Sequence, residues 1–282
     1  MSRYAYVNGR YLPHSQAAVH VEDRGFQFGD AIYEVWSVRR GQLLDAEGHL
    51  NRLQRSLSEL SIPSPMGPTA LMMVVREIMR RNRIKDGLVY LQVSRGVAKR
   101  DHAFPDPAPR PTVVLTAKRV DAASVEAKAN AGASIISQPD LRWGRCDIKT
   151  VNLLPNVLAK QAARDAGAAE AWMVDADGFV TEGGSSNAWI VDQDGRLITR
   201  QLDNAILHGI TRGCVADIAR GLGYEVVERP FTLEEAHAAR EAFMTSASTF
   251  VTAITRIDDK PIGNGAPGSV ATELRNAYQT QQ

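Results

Sequence analysis

Two residues of this chain could do chemistry together, Lys149 and Glu182. Lys149 stands among apolar and small residues, and Glu182 precedes a Gly-Gly-Ser-Ser run. A lysine bonds an aldehyde only through its neutral amine, so burial that depresses its pKa helps it to react. A carboxylate beside a pyridine nitrogen keeps that nitrogen protonated. The pair therefore indicates pyridoxal phosphate (PLP) chemistry, although a lone lysine is most often a surface group.

A second set of residues is suited to binding a phosphate group. Gly209 and Ile210 come directly before helical sequence, where free backbone N–H groups favour anions, and Thr211 adds a hydroxyl. The polar run Thr245–Thr249, which includes Ser246 and Ala247, could donate from the other side. Taken singly, these are also the residues of an ordinary helix N-cap and an ordinary turn.

Composition excludes several classes of protein. The 282 residues include 33 basic and 32 acidic side chains, a net charge of +1, so nothing indicates a nucleic-acid or anionic-membrane surface. No run approaches the ~20 apolar residues of a membrane-spanning helix, and the N-terminus has no signal pattern. Cys146 and Cys214 match no metal-ligand spacing, so no metal site is expected. These features predict a soluble, cytoplasmic protein.

The first 120 residues predict strands and helices around a shared core. Asn8-Gly9 is typical of a hairpin turn, and the apolar spacing of residues 49–60 predicts an amphipathic helix. The remaining expected elements are strands at 31–39, 43–44, 87–95 and 111–118, a helix at 69–82, and a loop at 96–110.

The second part repeats this mixture after a small-residue stretch at 120–132, interpreted as a domain link. It predicts strands at 133–137, 170–175, 187–192, 225–227 and 241–246, and helices at 152–166 and after Gly209. Glu182 is expected in a loop. The order predicts a mixed α+β enzyme with two domains, 1–120 and 121–282.

Several segments together resemble the fold-type IV PLP enzymes, and most closely the D-amino acid transaminases. They occur in the family's order along nearly the whole chain. The matching segments are Glu22–Val35, His49–Leu53, Arg100–Pro105, Arg142–Lys149, Asn152–Leu154, Leu158–Gln161, Thr181–Asn187 and Gly209–Arg212.

The resemblance implies a role for each candidate residue and a cofactor site between the two domains. Lys149 would bond PLP and move the proton between the substrate Cα and the cofactor, while Glu182 would pair with the ring nitrogen. The implied phosphate and ring contacts are Arg52, the N–H groups of Ile210 and Thr211, the Ser246-Ala247 turn, and Leu207 against the ring.

The resemblance also implies how the substrate carboxylate is held. In the family a tyrosine matching Tyr33 acts with an arginine and a histidine, matching Arg100 and His102, from the neighbouring subunit. The active site would then belong to a homodimer. Branched-chain L-amino acid transaminases share the lysine, glutamate and phosphate contacts without this Arg-x-His loop, so the loop favours D-amino acids.

The resulting hypothesis is a homodimeric D-amino acid transaminase that passes the amino group of a D-amino acid, such as D-alanine, to 2-oxoglutarate or pyruvate in a ping-pong mechanism. A branched-chain L-amino acid transaminase and an aminodeoxychorismate lyase remain alternatives within the resemblance. A non-catalytic binding protein on the same scaffold is a further one, disfavoured by the presence of both Lys149 and Glu182.

Overall fold

The computed structural model, which describes residues 3–280, begins with the predicted hairpin. Strands β1 (Tyr4–Val7) and β2 (Arg10–Pro13) are joined by Asn8 and Gly9, whose φ angles are 46° and 92°. Two positive φ angles are what a type I′ turn requires. Residues 1–2 and 281–282, at the ends of the two predicted domains, lie outside the described range. The prediction that the N-terminus has no signal pattern falls partly on these residues.

The hairpin belongs to a first unit, which runs to Ala122 and includes Ile148–Asn152. Its other elements are a 3-10 helix (His14–Gln16), α1 (Arg24–Phe28), β3 (Ala31–Arg39), β4 (Gln42–Leu43), α2 (Ala46–Glu59), α3 (Pro68–Asn82), β5 (Gly87–Ser94) and β6 (Thr112–Arg119). Six of its described strands form one antiparallel sheet in the order β2-β1-β6-β5-β3-β4.

Helices α2 and α3 bury their apolar faces in the core of this unit. Leu53 and Leu57 of α2 are four residues apart, and Leu71, Val75 and Ile78 of α3 follow the same helical spacing. Burying one such side chain contributes about 1.5–3 kcal/mol. The periodic spacing read from the sequence thus reflects the buried faces.

Residues 148–152 differ from the predicted division, which assigned them to the C-terminal domain. Strand β4 pairs with β3 only at Val38 and Arg39, so the start of β3 has a free edge. Tyr33 N donates to Lys149 O at 2.9 Å, and Val151 N donates to Ala31 O at 3.1 Å. This free edge explains why Lys149 packs with the first unit.

The second unit comprises Ala123–Asp147 and the chain from Leu153 onward. The elements from α4 onward are α4 (Ala122–Ala131), β7 (Ala133–Pro139), α5 (Leu154–Asp165), β8 (Glu170–Val174), β9 (Val180–Gly183), β10 (Asn187–Val191), β11 (Leu197–Thr199), α6 (Ile210–Gly221), β12 (Val226–Glu228), α7 (Leu233–Ala238), β13 (Glu241–Ser246), β14 (Phe250–Ile257), β15 (Lys260–Pro261) and α8 (Ser269–Thr280).

Nine of the described strands form its mixed sheet, in the order β12-β11-β10-β13-β14-β7-β8-β9, with β15 paired to β14. The pairs β11/β12, β14/β7 and β7/β8 are parallel, and the others are antiparallel. The two sheets with their helices confirm the predicted mixed α/β class.

One local prediction for this unit was wrong, and one segment contains a helix that was not predicted. The stretch interpreted as a domain link contains the boundary between the two units, at Ala122 and Ala123, and also helix α4, which is tied to α8 because Arg275 Nη2 donates to Glu126 Oε1 at 2.9 Å. Glu182 lies in β9 and not in a loop, because Val180 pairs with Val174 and Gly183 with Trp172. The Gly and Ser residues after Glu182 obscured this short strand.

Between residues 3 and 280, no helix combines the length and the apolar character needed to cross a membrane.

Candidate active site

The backbone N–H and the backbone carbonyl of Lys149 are both hydrogen-bonded. Its N–H donates to Ser56 Oγ at 3.3 Å, and its carbonyl accepts from Tyr33 N. The side chain is partly buried, and Nζ lies 4.1 Å from the centre of the Tyr33 ring. The structure therefore brings together two of the predicted site residues, Lys149 and Tyr33.

Arg52 is buried on α2 and held by Glu34, a carboxylate that received no role in the sequence analysis. Arg52 Nε and Nη2 donate to Glu34 Oε1 and Oε2 at 2.7 and 2.9 Å, and His49 Nδ1 lies 2.7 Å from Oε2. Burial acts to raise the pKa of Glu34, but the charge and hydrogen bonds of Arg52, with those of His49, outweigh it and lower the pKa to about 2. An ionised Glu34 thus orients the Arg52 guanidinium.

Glu182 in the second unit is a buried carboxylate held by several donors. Asn187 Nδ2 donates to its Oε2 at 2.9 Å, and Leu207 N donates to its Oε1 at 3.1 Å. Arg142 Nη1 donates to the same Oε1 in a very short contact. Both carboxylate oxygens of Glu182 therefore accept hydrogen bonds from residues of the second unit, which fixes the orientation of the side chain.

Arg142 is itself held in place by further hydrogen bonds from its guanidinium group. Its Nη2 donates to Asp140 Oδ2 at 2.7 Å and to Ala205 O at 2.9 Å, and Thr181 Oγ1 donates to Asp140 Oδ2 at 2.7 Å. Burial acts to lower the pKa of Arg142, but its bond to Asp140 and the charges of Glu182 and Asp140 raise it. Arg142 therefore stays charged and fixes the position of Glu182.

Helix α6 begins at Ile210, directly after Gly209, so Ile210 and Thr211 belong to its first turn and do not precede the helix. Gly209 supplies no side-chain cap, and a Cβ there would overlap Asn187 Oδ1. Thr211 Oγ1 is buried and has no hydrogen-bond partner within residues 3–280. Because buried polar groups are almost always hydrogen-bonded, this hydroxyl and the first N–H groups of α6 fit a phosphate.

Ser246 ends β13 and lies in a small network of hydroxyls. Its Oγ lies 2.8 Å from Thr249 Oγ1 and 3.3 Å from Ser248 Oγ, and it accepts from Thr249 N at 3.2 Å. Ala247 has no hydroxyl of its own. Because a serine hydroxyl can rotate between partners, Ser246 could donate to an anion at this turn.

Arg100 and His102 lie on the exposed loop between β5 and β6. Both contact Phe28: the Arg100 guanidinium lies 4.6 Å from the centre of its ring, and the His102 ring lies 5.5 Å from it. Tyr33 contacts Lys149 and stacks on Tyr90 at 5.7 Å. The three predicted carboxylate-binding residues thus all lie in the first unit, in two separate sets of contacts.

Three residues with clear positioning contacts received no role from the sequence. They are Glu34, which holds Arg52, and Arg142 and Asn187, which hold Glu182. Each falls inside a segment that carried the resemblance. The signal was therefore present, but their partners lie up to 40 residues away and only the fold brings them together.

Comparison with known proteins agrees with this architecture. Residues 31–257 match the family described as amino-transferase class IV. The chain is 39% identical over 272 residues to a D-alanine aminotransferase of Bacillus licheniformis, covering 96% of this chain and 94% of that protein. A D-alanine aminotransferase of Listeria innocua is 38% identical, with coverage of 96% and 93%.

Among solved structures, a T.th. branched-chain amino acid aminotransferase with pyridoxamine 5'-phosphate superposes with a TM-score of 0.89 at 29% identity, covering 99% of this chain and 93% of that one. The Escherichia coli branched-chain enzyme, at 24% identity, has a TM-score of 0.88 and coverage of 99% and 94%, which shows the shared fold. The chain belongs to the class IV aminotransferase family and has its fold-type IV architecture.

Proposed function

We propose that this enzyme is a PLP-dependent D-amino acid aminotransferase that transfers the amino group of D-alanine to 2-oxoglutarate or pyruvate. The observation that carries the proposal is the position of Lys149 Nζ, 4.1 Å from the centre of the Tyr33 ring. Proton transfer at a substrate carbon requires a base close to that carbon. Lys149 lies beside Tyr33, which is one of the residues assigned to bind the substrate carboxylate.

The described residues fit PLP by their chemistry. Arg52, Thr211, the N–H groups of Ile210 and Thr211, and the Ser246-Ala247 turn would bind the phosphate, and Leu207 would pack on the ring. Thr211 Oγ1 is the buried hydroxyl that would gain a partner. Bound PLP supplies an electron sink that stabilises negative charge at the substrate Cα.

The protein's own groups would divide the work between proton transfer and charge control. Lys149 Nζ would accept and return the proton at the substrate Cα. Glu182 would accept a hydrogen bond from the ring nitrogen and favour its protonated form, and the donors Arg142 and Asn187 would keep the carboxylate in place. Because these groups are fixed before substrate arrives, little reorganisation is needed during the reaction.

The preference for D-amino acids rests on two supports. Relatives named D-alanine aminotransferase match nearly the full length at 36–39% identity. The Arg100–His102 loop supplies the cation and the imidazole that would bind the substrate carboxylate. We propose that the loop serves the neighbouring subunit of a homodimer, and we retain the cytoplasm, expected from the cysteine usage, as its location.

A branched-chain L-amino acid aminotransferase is the second candidate, because solved enzymes of that name superpose at a TM-score of up to 0.89. The two functions differ in the handedness of the amino acid formed. Incubation of the PLP-loaded protein with D-alanine and 2-oxoglutarate should produce pyruvate and D-glutamate, separated by chiral chromatography. Product formation from L-leucine but not from D-alanine would establish the second candidate, and turnover without an oxo acid would indicate a lyase.

A further inference from the structure

The loop that carries Arg100 and His102 is held from beneath by a buried arginine. Arg24 Nη1 donates to the carbonyl of Asp101 at 2.6 Å, and Nη2 donates to the carbonyl of His102 at 3.4 Å. Arg24 is 3% exposed. A buried guanidinium that bonds to consecutive carbonyls fixes the direction of the main chain at these two residues.

The opposite edge of Arg24 is fixed by an acidic residue that also holds a second arginine. Arg24 Nε donates to Asp30 Oδ2 at 2.8 Å, and Arg95 Nε and Nη2 donate to Asp30 Oδ2 and Oδ1 at 2.7 and 3.0 Å. The Arg95 guanidinium lies 3.6 Å from the centre of the Phe104 ring. Arg24 and Arg95 thus contact the loop at both ends of its segment 101–104.

Phe28 adds a shared aromatic contact. Its ring centre lies 4.7 Å from the Arg24 guanidinium, 4.6 Å from the Arg100 guanidinium and 5.5 Å from the His102 ring. Arginine over an aromatic face gains electrostatic attraction as well as contact area. One ring therefore links the anchoring arginine to both side chains of the loop.

We propose that Arg24 and Phe28 are positioning residues for recognition of the substrate α-carboxylate. They act through Arg100 and His102, because Arg24 sets the main chain of the loop and Phe28 sets its two side chains. The exposed loop would otherwise spend part of its time in conformations that cannot bind a carboxylate, which weakens apparent affinity. This inference rests on the proposed function, in which Arg100 and His102 bind that carboxylate.

The test compares D-alanine with D-alaninol, which has an alcohol in place of the carboxylate. In the PLP-loaded enzyme without an oxo acid, the spectral change of the cofactor gives an apparent dissociation constant and a saturating rate for each compound. Phe28→Leu should raise the apparent dissociation constant for D-alanine about three- to tenfold, with an unchanged saturating rate and unchanged PLP retention. The apparent dissociation constant for D-alaninol should stay within about twofold of that of the unmodified enzyme.

Tyr11→Leu is the matched control, because the Arg81 guanidinium lies 4.5 Å from the Tyr11 ring in the same unit. It removes a comparable contact and should leave both constants unchanged. Arg24→Lys is the second variant, since lysine keeps the charge but cannot bond to Asp30 and to both loop carbonyls together. Arg24→Lys should show the same selective loss of D-alanine binding. The inference therefore stays testable even if Phe28→Leu fails to fold.

Equal weakening of D-alanine and D-alaninol, or no weakening of either, would overturn the inference. So would a loss confined to the saturating rate. If the unmodified enzyme converts L-leucine and not D-alanine, the proposed function itself has failed. The two failures are thereby separated, because only the second one appears before any substitution is made.

Discussion

Glu182 is assigned to the ring nitrogen of the cofactor and the Arg100–His102 loop to the substrate carboxylate, yet the two differ in burial. Glu182 lies in β9 of the nine-stranded sheet, 5% exposed, and accepts bonds from Arg142, Asn187 and Leu207. Arg100 and His102 are exposed on a loop that Arg24 and Phe28 contact from one side. A buried strand fixes one group, and a surface loop presents the other two.

The difference separates the chemistry from the choice of substrate. A group that controls charge on a cofactor gains from burial, because fixed dipoles and low water content strengthen its effect. A group that selects substrates can lie on a loop, where sequence changes alter specificity without disturbing the core. Large rate effects are therefore expected from the buried groups, and smaller, affinity-type effects from the loop.

Lys149→Ala should have the largest effect. We expect the rate to fall by at least about 10⁴-fold, because both the covalent attachment and the proton transfer use the same Nζ. Borohydride reduction followed by mass spectrometry should find no cofactor on residue 149. The control is Lys160→Ala, which removes a partly exposed amine 3.2 Å from Glu170 and should leave trapping and rate unchanged.

Glu182→Gln should lower the rate by roughly 10²–10³-fold, because a neutral amide cannot keep the ring nitrogen charged. PLP should still be retained, since the phosphate contacts are intact, and ultraviolet-visible spectra of the holoenzyme would show this. Glu241→Gln provides the comparison: its carboxylate accepts from Val270 N and Ala271 N in the same unit and has no assigned role. Equal rate losses in the two variants would contradict the role of Glu182.

Glu34 extends the comparison to a buried carboxylate in the unit that carries the loop. Its lowered pKa, about 2 against an ordinary 4.5, means that its stabilising effect is present above pH 4.5 and is lost as pH falls toward 2. The shift corresponds to on the order of 3 kcal/mol. Glu34→Gln should therefore unfold at lower urea than the unmodified protein at pH 7, and the difference should shrink toward pH 3.

Glu77→Gln is the control for that experiment, because Glu77 bonds to Arg80 and Arg81 on the solvent side of α3. Water screens such pairs, so the variant should change the unfolding midpoint little at any pH. A pH-independent difference for Glu34→Gln would show that the buried charge is not the source of its effect.

Arg100→Ala should have the smallest effect of the four substitutions. We expect KM for D-alanine to rise about tenfold with little change in kcat, because one charge-assisted bond to the carboxylate is lost. PLP retention, measured by dialysis and absorbance, should be unaffected. A parallel loss of PLP would place Arg100 with the cofactor and remove the contrast between loop and strand.

The sequence predicted features that depend on near neighbours. Asn8-Gly9 specified its turn, α2 followed from apolar spacing, and Gly209 marked the start of α6. Glu182 was misplaced because a four-residue strand followed by Gly and Ser has no local signature. Helix α4, within the stretch 120–132, was not predicted because small residues occur both in links and in helices.

The candidate site was predicted as a set of residues but not as a set of contacts. Lys149, Glu182 and Arg52 came from motif types and from the resemblance, whereas the pairing of Glu34 with Arg52 depends on how β3 meets α2. The position of Arg24 beneath the loop spans 77 residues of sequence. Contacts over such distances are set by strand order and register, which local patterns do not encode.

The most direct test of the central claim is the half-reaction of the PLP-loaded protein, mixed separately with D-alanine and with L-leucine in the absence of an oxo acid. We expect D-alanine alone to convert the absorbance of the bound cofactor to that of its pyridoxamine form, with release of one pyruvate per site. Conversion by L-leucine alone would contradict the assignment of Arg100 and His102 to D-amino acids.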